Sequence, residues 1–206
     1  MKKLVTSIFL MLGLMIGGMQ IAAAAPSDPV GLVKSLADEM IANLKANKAN
    51  LKRNPSLVYS LAYKIVVPYA DLDEMSKRVL PPQTWNNATP SQREQFKKEF
   101  TNLLVRTYAS ALADYTDQTV RFFPLRGSAG NSVTVSSQIV RSDGPSIGVN
   151  YRLHLTSSGW KLYDMSVEGV SLLQSFQAQF RQKLSQGNMD QLLMDLKQRK
   201  IRKTGG

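Results

Sequence analysis

Between residues 118 and 167 apolar and polar side chains alternate in four separate runs, the period of a half-buried strand. The runs cover residues 118–125, 132–141, 146–156 and 160–167. Residues 127–131, Asp143-Gly144-Pro145 and Ser157-Ser158-Gly159 lie between them and are turn-forming. Connections this short predict an antiparallel meander. In the third run Ile147, Val149, Tyr151, Leu153 and Leu155 share one face, and Asn150, Arg152, His154 and Thr156 share the other. One side of the sheet is therefore expected to be dry and the other wet. In the fourth run Lys161, Tyr163, Met165 and Val167 alternate onto one face.

On either side of these runs the apolar spacing is helical. Residues 30–45 carry Val33, Leu36, Ala37, Met40, Ile41 and Leu44, with Asp28 placed to cap them. Residues 47–54 read as a polar break. Pro55 opens a second helix through Leu57, Leu61 and Ile65 that ends near Pro68. A short third helix over 71–80 is stopped by Pro81-Pro82. Thr89, Pro90 and Gln92 form a capping box for the fourth, whose stripe is Phe96, Phe100, Leu103, Leu104, Tyr108, Ala111, Leu112 and Tyr115. After the last strand the spacing Val170, Leu173, Phe176, Phe180, Leu184 predicts a helix over 170–186. Asn188 then caps another over 189–200. This order is α+β. The expected architecture is a single domain in which an antiparallel four-stranded sheet is wrapped by about six helices around an apolar cavity, in a cone-like shape.

The N-terminus changes the picture of where this domain works. Lys2 and Lys3 precede an apolar stretch over 4–19, and Ala22-Ala23-Ala24 follows, the layout of a secretory signal peptide cleaved after Ala24. Residues 1–24 are thus read as a leader and 25–206 as the mature domain, exported to the periplasm. The apolar stretch is short for a span, which takes about 20 residues. No cysteine occurs, so lipoprotein anchoring, disulfides and thiolate chemistry are excluded. Lys and Arg total 26 against 15 Asp and Glu, and loss of Lys2 and Lys3 lowers the formal +11 by two. Export makes nucleic acid an unsuitable partner for that charge; anionic headgroups, acidic membrane surfaces and acidic protein patches fit it better, beside a plain solvated surface. Lys197, Arg199, Lys200, Arg202 and Lys203 form a basic tail expected to fray.

Catalytic signals are sparse. His154 is the sole histidine and sits among the polar residues of its strand, where a solvent-facing role is expected. There is no G-x-S-x-G elbow, no phosphate-binding glycine loop, and too few histidines for zinc. Asp164 and Glu168 remain as a carboxylate pair, more often used to satisfy helix-start donors or an arginine than to move protons. The reading is therefore a non-enzyme with no cofactor.

The apolar faces collect into one list of candidate binding residues: Phe100, Leu104, Tyr108 and Tyr115; Val149, Tyr151, Leu153, Tyr163, Met165 and Val167; Val170, Leu173 and Phe176. They either fill one another or line a cavity. The tyrosines favour a cavity, since a buried phenol needs a partner and one near an opening has water.

The run Trp160, Tyr163-Asp164, Glu168-Gly169-Val170-Ser171 resembles the W-x-x-Y-D-x-x-x-E-G-V-S segment of the MlaC or toluene-tolerance family. Asp73-Glu74-Met75-Ser76-Lys77-Arg78-Val79-Leu80, then Trp85 and residues 88–96, extend the likeness, as do Tyr108-Ala109 and Tyr115; it covers residues 55–196. The resemblance implies a periplasmic phospholipid carrier that maintains outer-membrane lipid asymmetry, with diacyl glycerophospholipid as cargo and broad headgroup tolerance. It also implies two partners: an outer-membrane lipoprotein–porin complex, and an inner-membrane ABC transporter met through its periplasmic substrate-binding subunit. The carrier itself is expected to be monomeric. Without the resemblance, two other readings stay open: a periplasmic adaptor with a solid core, and a small α+β hydrolase or isomerase using Asp164 or Glu168.

Overall fold

A computed structural model of the protein describes residues 28–54, 56–113, 118–127, 130–142 and 144–199. Eight α-helices and five strands occur among the described residues. The expected leader, the basic residues from Lys200 onward and Tyr115 lie outside them.

Helix α1 (Pro29–Ala46) starts where the sequence places it, the Asp28 carboxylate accepting from Val30 N at 2.9 Å. The expected polar break is instead a short helix, α2 (Lys48–Arg53), which buries Leu51 and leaves Lys48, Ala49, Asn50 and Arg53 exposed. Helix α3 (Ser56–Ile65) and a 3₁₀ turn (Val67–Tyr69) lead to α4 (Leu72–Val79), capped by Asp71 through Glu74 N at 2.9 Å. The proline pair stops α4 but also begins α5 (Pro82–Asn87), because a proline is as well suited to a first helical position as it is unsuited to an interior one. Helix α6 (Pro90–Ala113) opens on the expected capping box: Gln92 Oε1 accepts from Thr89 N at 2.9 Å, and Thr89 Oγ1 accepts from Gln92 N at 3.2 Å.

The sheet is an antiparallel meander in chain order: β1 (Thr119–Phe122), β2 (Ser132–Val140), β3 (Ile147–Thr156), β4 (Gly159–Val167) and β5 (Val170–Ser171). It has five strands rather than four. Glu168 and Gly169, at φ 49° and 81°, form a tight hairpin that folds Val170 back beside Val167, so the last long helix starts at Leu172 and not at Val170. Helices α7 (Leu172–Gln186) and α8 (Met189–Lys197) close the fold, joined by a 2.9 Å ion pair from Lys183 to the buried Asp195.

The apolar side chains form three separate clusters. One joins α4, α5, α6, α7 and α8 around Phe96, Phe100, Phe176 and Phe180, whose rings stack or meet edge to face at 5.5–5.9 Å. A second joins α1, α2 and α3 around Leu44, Val58 and Ile65. The third lays Leu32 and Val33 of α1 on Val135, Leu153 and Trp160 of the sheet.

Candidate functional site

Register fixes what each face of the sheet presents, because residues directly opposite one another project to the same side. On one face the rows are Val120–Ile139–Ile147, Phe122–Ser137–Val149–Val167, Val135–Tyr151–Met165 and Val133–Leu153–Leu162. The opposite face carries Thr134–Arg152–Asp164, Ser136–Asn150–Ser166 and Ser132–His154–Lys161. One face is thus apolar and the other polar, as the alternation of the third run predicts; Lys161, expected beside Met165 and Val167, falls on the polar face.

Helix α1 packs on the part of the apolar face around Val135, Leu153 and Trp160, with Phe122 and Tyr151 at the margin of that cluster. Toward the other end, Ser137 and Val149 are 2% and 3% exposed, while Ile139, Ile147, Met165 and Val167 are half-buried. These residues lie outside all three clusters. The close packing partners of α6 are α3, α4 and α8 rather than the sheet. On α6, Leu104 and Tyr108 are half-buried at the edge of the first cluster and Val105 at the edge of the second. The candidate site is therefore the end of the apolar sheet face that lies outside the three clusters.

The expected binding residues divide accordingly. Val149, Tyr151, Met165 and Val167 come together on this face, with Leu153 at its α1-covered end. Phe100, Leu173 and Phe176 are fully packed within the helical cluster. Val170 is 60% exposed, turned out by the Glu168-Gly169 hairpin. Tyr115 falls outside the described residues.

Tyr163 leaves the expected stripe. The register of β3 on β4 shifts at Arg152/Leu153, which leaves Tyr163 as the extra residue of a β-bulge. Its ring meets His154 on the polar side at 5.4 Å and Arg78 at 4.4 Å, and its hydroxyl stands 3.4 Å from Ser132 Oγ. His154 in turn is not a free surface group: its Nε2 is 2.8 Å from Asp71 Oδ2, tying β3 to the cap of α4. Leu155, expected on the dry side, pairs with Trp160 at the end of the sheet and is 49% exposed.

Both carboxylates considered for acid–base work are engaged in building the corner. Asp164 Oδ2 accepts from Ser171 Oγ at 2.7 Å and Oδ1 from Leu173 N at 3.3 Å and Met165 N at 2.9 Å, with Arg152 at 3.5 Å. A buried carboxylate at a helix start is favoured by the exposed amides there. Glu168 accepts from Gly148 N.

Among the expected binding residues, two phenols are shifted by their surroundings. Tyr108 is pushed up to about 12, first by burial and then by the negative charge of Asp164. Burial also raises Tyr151, against a smaller opposing effect of its bond to Ser137. Both therefore stay neutral donors at ordinary pH.

A cleft of about 570 Å³ opens elsewhere, between the start of α4, α6 and the β3–β4 turn. Asp71, Asp73, Glu94, Lys97, Lys98 and Lys161 line it, and Lys97 is already held by Asp73 at 2.9 Å and Glu94 at 2.5 Å. Such walls suit water and ions and are poor surroundings for hydrocarbon. The charge of its lining argues for the sheet face instead.

With this geometry in hand, similarity to known proteins decides the family. Over residues 34–198 the chain matches the family model described as MlaC protein. The chain belongs to the MlaC family.

Its MlaC-family relatives include the toluene tolerance protein ttg2D of Pseudomonas putida, 28% identical over 82% of this chain and 78% of the relative. The intermembrane phospholipid transport system binding protein MlaC of Haemophilus influenzae is 26% identical over 85% and 84%. Among solved structures, the phospholipid-binding protein of Ralstonia solanacearum, determined in complex with a phospholipid, is similar at a TM-score of 0.78 and 31% identity. That match covers 84% of this chain and 97% of the other. The MlaC match takes in every described residue of the sheet face, whereas Leu32 and Val33, the α1 residues that cap its covered end, lie just before it.

Sequence reasoning missed β2 as a wall. Val133, Val135, Ser137 and Ile139 alternate plainly in the chain, and their alternation is the signal that places them beside the residues of β3.

Proposed function

We propose that this chain is a periplasmic phospholipid carrier that moves diacyl glycerophospholipids between the outer and inner membranes and so maintains outer-membrane lipid asymmetry. The observation that carries this reading is the likeness to the Ralstonia solanacearum protein described in complex with a phospholipid. The unclustered apolar end of the sheet face supports it, as a surface that hydrocarbon could complete. The transport role rests on the names of the two curated relatives. Export rests on the leader-like N-terminus; no described helix is long and apolar enough to cross a membrane.

The same reading assigns cargo and partners. Acyl tails lie against Val149, Tyr151, Met165 and Val167. The headgroup meets no cluster of cations on the apolar face, so several glycerophospholipid headgroups are accepted. The lipid is cargo and no cofactor is needed. Partners are an outer-membrane lipoprotein–porin complex and an inner-membrane ABC transporter, reached through its periplasmic substrate-binding subunit. The engagement of Asp164 and Glu168 in the corner favours binding over catalysis.

Energetics make a shuttle workable. Each methylene withdrawn from water contributes about 0.8 kcal/mol. Two tails of about 15 such groups would contribute about 25 kcal/mol, beyond what non-covalent affinities reach. Transfer from bilayer to protein instead exchanges one apolar surrounding for another, so its net free energy can lie near zero and the carrier can unload. The test is protein-dependent movement of fluorescent phospholipid from donor to acceptor vesicles. A rate that rises with carrier concentration is expected, and a rate equal to that without protein would refute the reading.

A further inference from the structure

Ser137 and Tyr151 carry the only hydroxyls in the four apolar rows described above, and they touch. Every other position in the four rows is Val, Ile, Leu, Met or Phe. Tyr151 starts one row below Ser137, but its phenol lies across the sheet. The ring stacks on Phe122 at 6.2 Å, and the hydroxyl reaches Ser137 Oγ at 3.5 Å. Both oxygens therefore sit in the row Phe122–Ser137–Val149–Val167, at the margin of the cluster that α1 caps.

The donor accounting is incomplete there. Ser137 donates to the phenolic oxygen at a distance near the limit for a hydrogen bond. The phenol's own proton has no acceptor among the described residues. A neutral donor held in an apolar wall is costly to leave unmatched. A second neutral group arriving with an apolar ligand would match it.

We propose that the Tyr151 hydroxyl, steadied by Ser137, is a hydrogen-bonding subsite for an ester carbonyl of the bound lipid. This deepens the carrier reading and rests on it. The chemistry selects the ester. The hydrocarbon of a tail has no acceptor, and a phosphate is charged, strongly hydrated and unmatched by any cation on this face. The ester carbonyl is the neutral acceptor that lies where tail meets glycerol. Tyr151 then sets how deep a diacyl lipid seats, and it makes the site sensitive to the linkage of the chains as well as to their length.

The experiment compares diester phosphatidylcholine with dialkyl ether phosphatidylcholine of equal chain length, competing from mixed vesicles for delipidated protein. Wild type is expected to take the diester about 3 to 10 times better, the size of one net hydrogen bond. In Tyr151→Phe that ratio is expected to fall to near one. If Tyr151→Phe does not fold, Ser137→Ala serves the same comparison, with a weakened preference expected. Equal uptake of both lipids by wild type, or a preference that survives in the folded variant, overturns the assignment. A wild-type protein that takes up neither lipid overturns the carrier reading itself.

Discussion

Asp164 on β4 and Ser171 at the head of α7 are joined by a 2.7 Å hydrogen bond from the serine hydroxyl to Oδ2. The same serine caps α7 by accepting from Gln174 N at 3.2 Å, so one pair sets the direction in which the helix leaves the sheet. Ser171→Ala is expected to cost about 1 kcal/mol, the usual size of a lost N-cap. Asp164→Ala is expected to cost about 2–3 kcal/mol, since it strands buried donors. The double variant should cost less than the sum, by about 1 kcal/mol, because both substitutions break one network. Urea unfolding of the four proteins measures this; simple additivity would show that the two residues act separately.

Alkaline pH should weaken the fold through Tyr108. A tyrosine in an unfolded chain ionises near pH 10, whereas Tyr108 in the folded protein is pushed up to about 12. Between those values the unfolded chain has released a proton that the folded one retains, so stability falls as pH rises through this window. Below it the phenol is neutral in both states and contributes no pH dependence. Tyr108→Phe is expected to show a smaller loss of stability than wild type between about pH 9 and about pH 11. Identical losses in the two proteins would contradict the assignment.

Filling the unclustered end of the sheet face should expel lipid. Val149→Trp places a bulky ring in the row between Ser137 and Val167, and a strong fall in co-purified phospholipid is expected. Overpacking of this kind costs about 1–3 kcal/mol, so circular dichroism must accompany the measurement to show that the fold survives. Val170→Trp, on an exposed hairpin, is expected to leave lipid content as it was. Equal loss in both variants would move the site to the hairpin.

Phe100→Ala is expected to behave as a core mutation. Its ring contacts Phe96, Phe176 and Phe180 within the helical cluster, and truncation should cost about 3–5 kcal/mol. A folded Phe100→Ala protein that loses lipid with little loss of stability would instead make the residue part of the binding wall.

These contrasts show where the sequence was informative. The period of two in residues 146–156 was enough to place Val149 and Tyr151 on one side and Arg152 and Asn150 on the other, because alternation is a direct consequence of pleat geometry. The capping box at Thr89 and Gln92 was equally plain. Tyr163 was not, since a bulge inserts a residue without marking the chain, and one extra residue reverses the side on which a side chain emerges. Val170 misled because its spacing to Leu173 and Phe176 suits a helix, while the positive φ of Glu168 and Gly169 makes a hairpin first. Phe100 and Phe176 belonged to a helix-only cluster, and which of two apolar neighbours a helix meets is decided by tertiary packing.

Whether phospholipid occupies the interior is tested most directly by native mass spectrometry of the protein purified without detergent, with solvent extraction of the same sample. The expected spectrum shows the mature chain plus the mass of diacyl glycerophospholipid, with more than one headgroup class in the extract. A spectrum of bare protein, unchanged after incubation with phospholipid vesicles, would contradict the account.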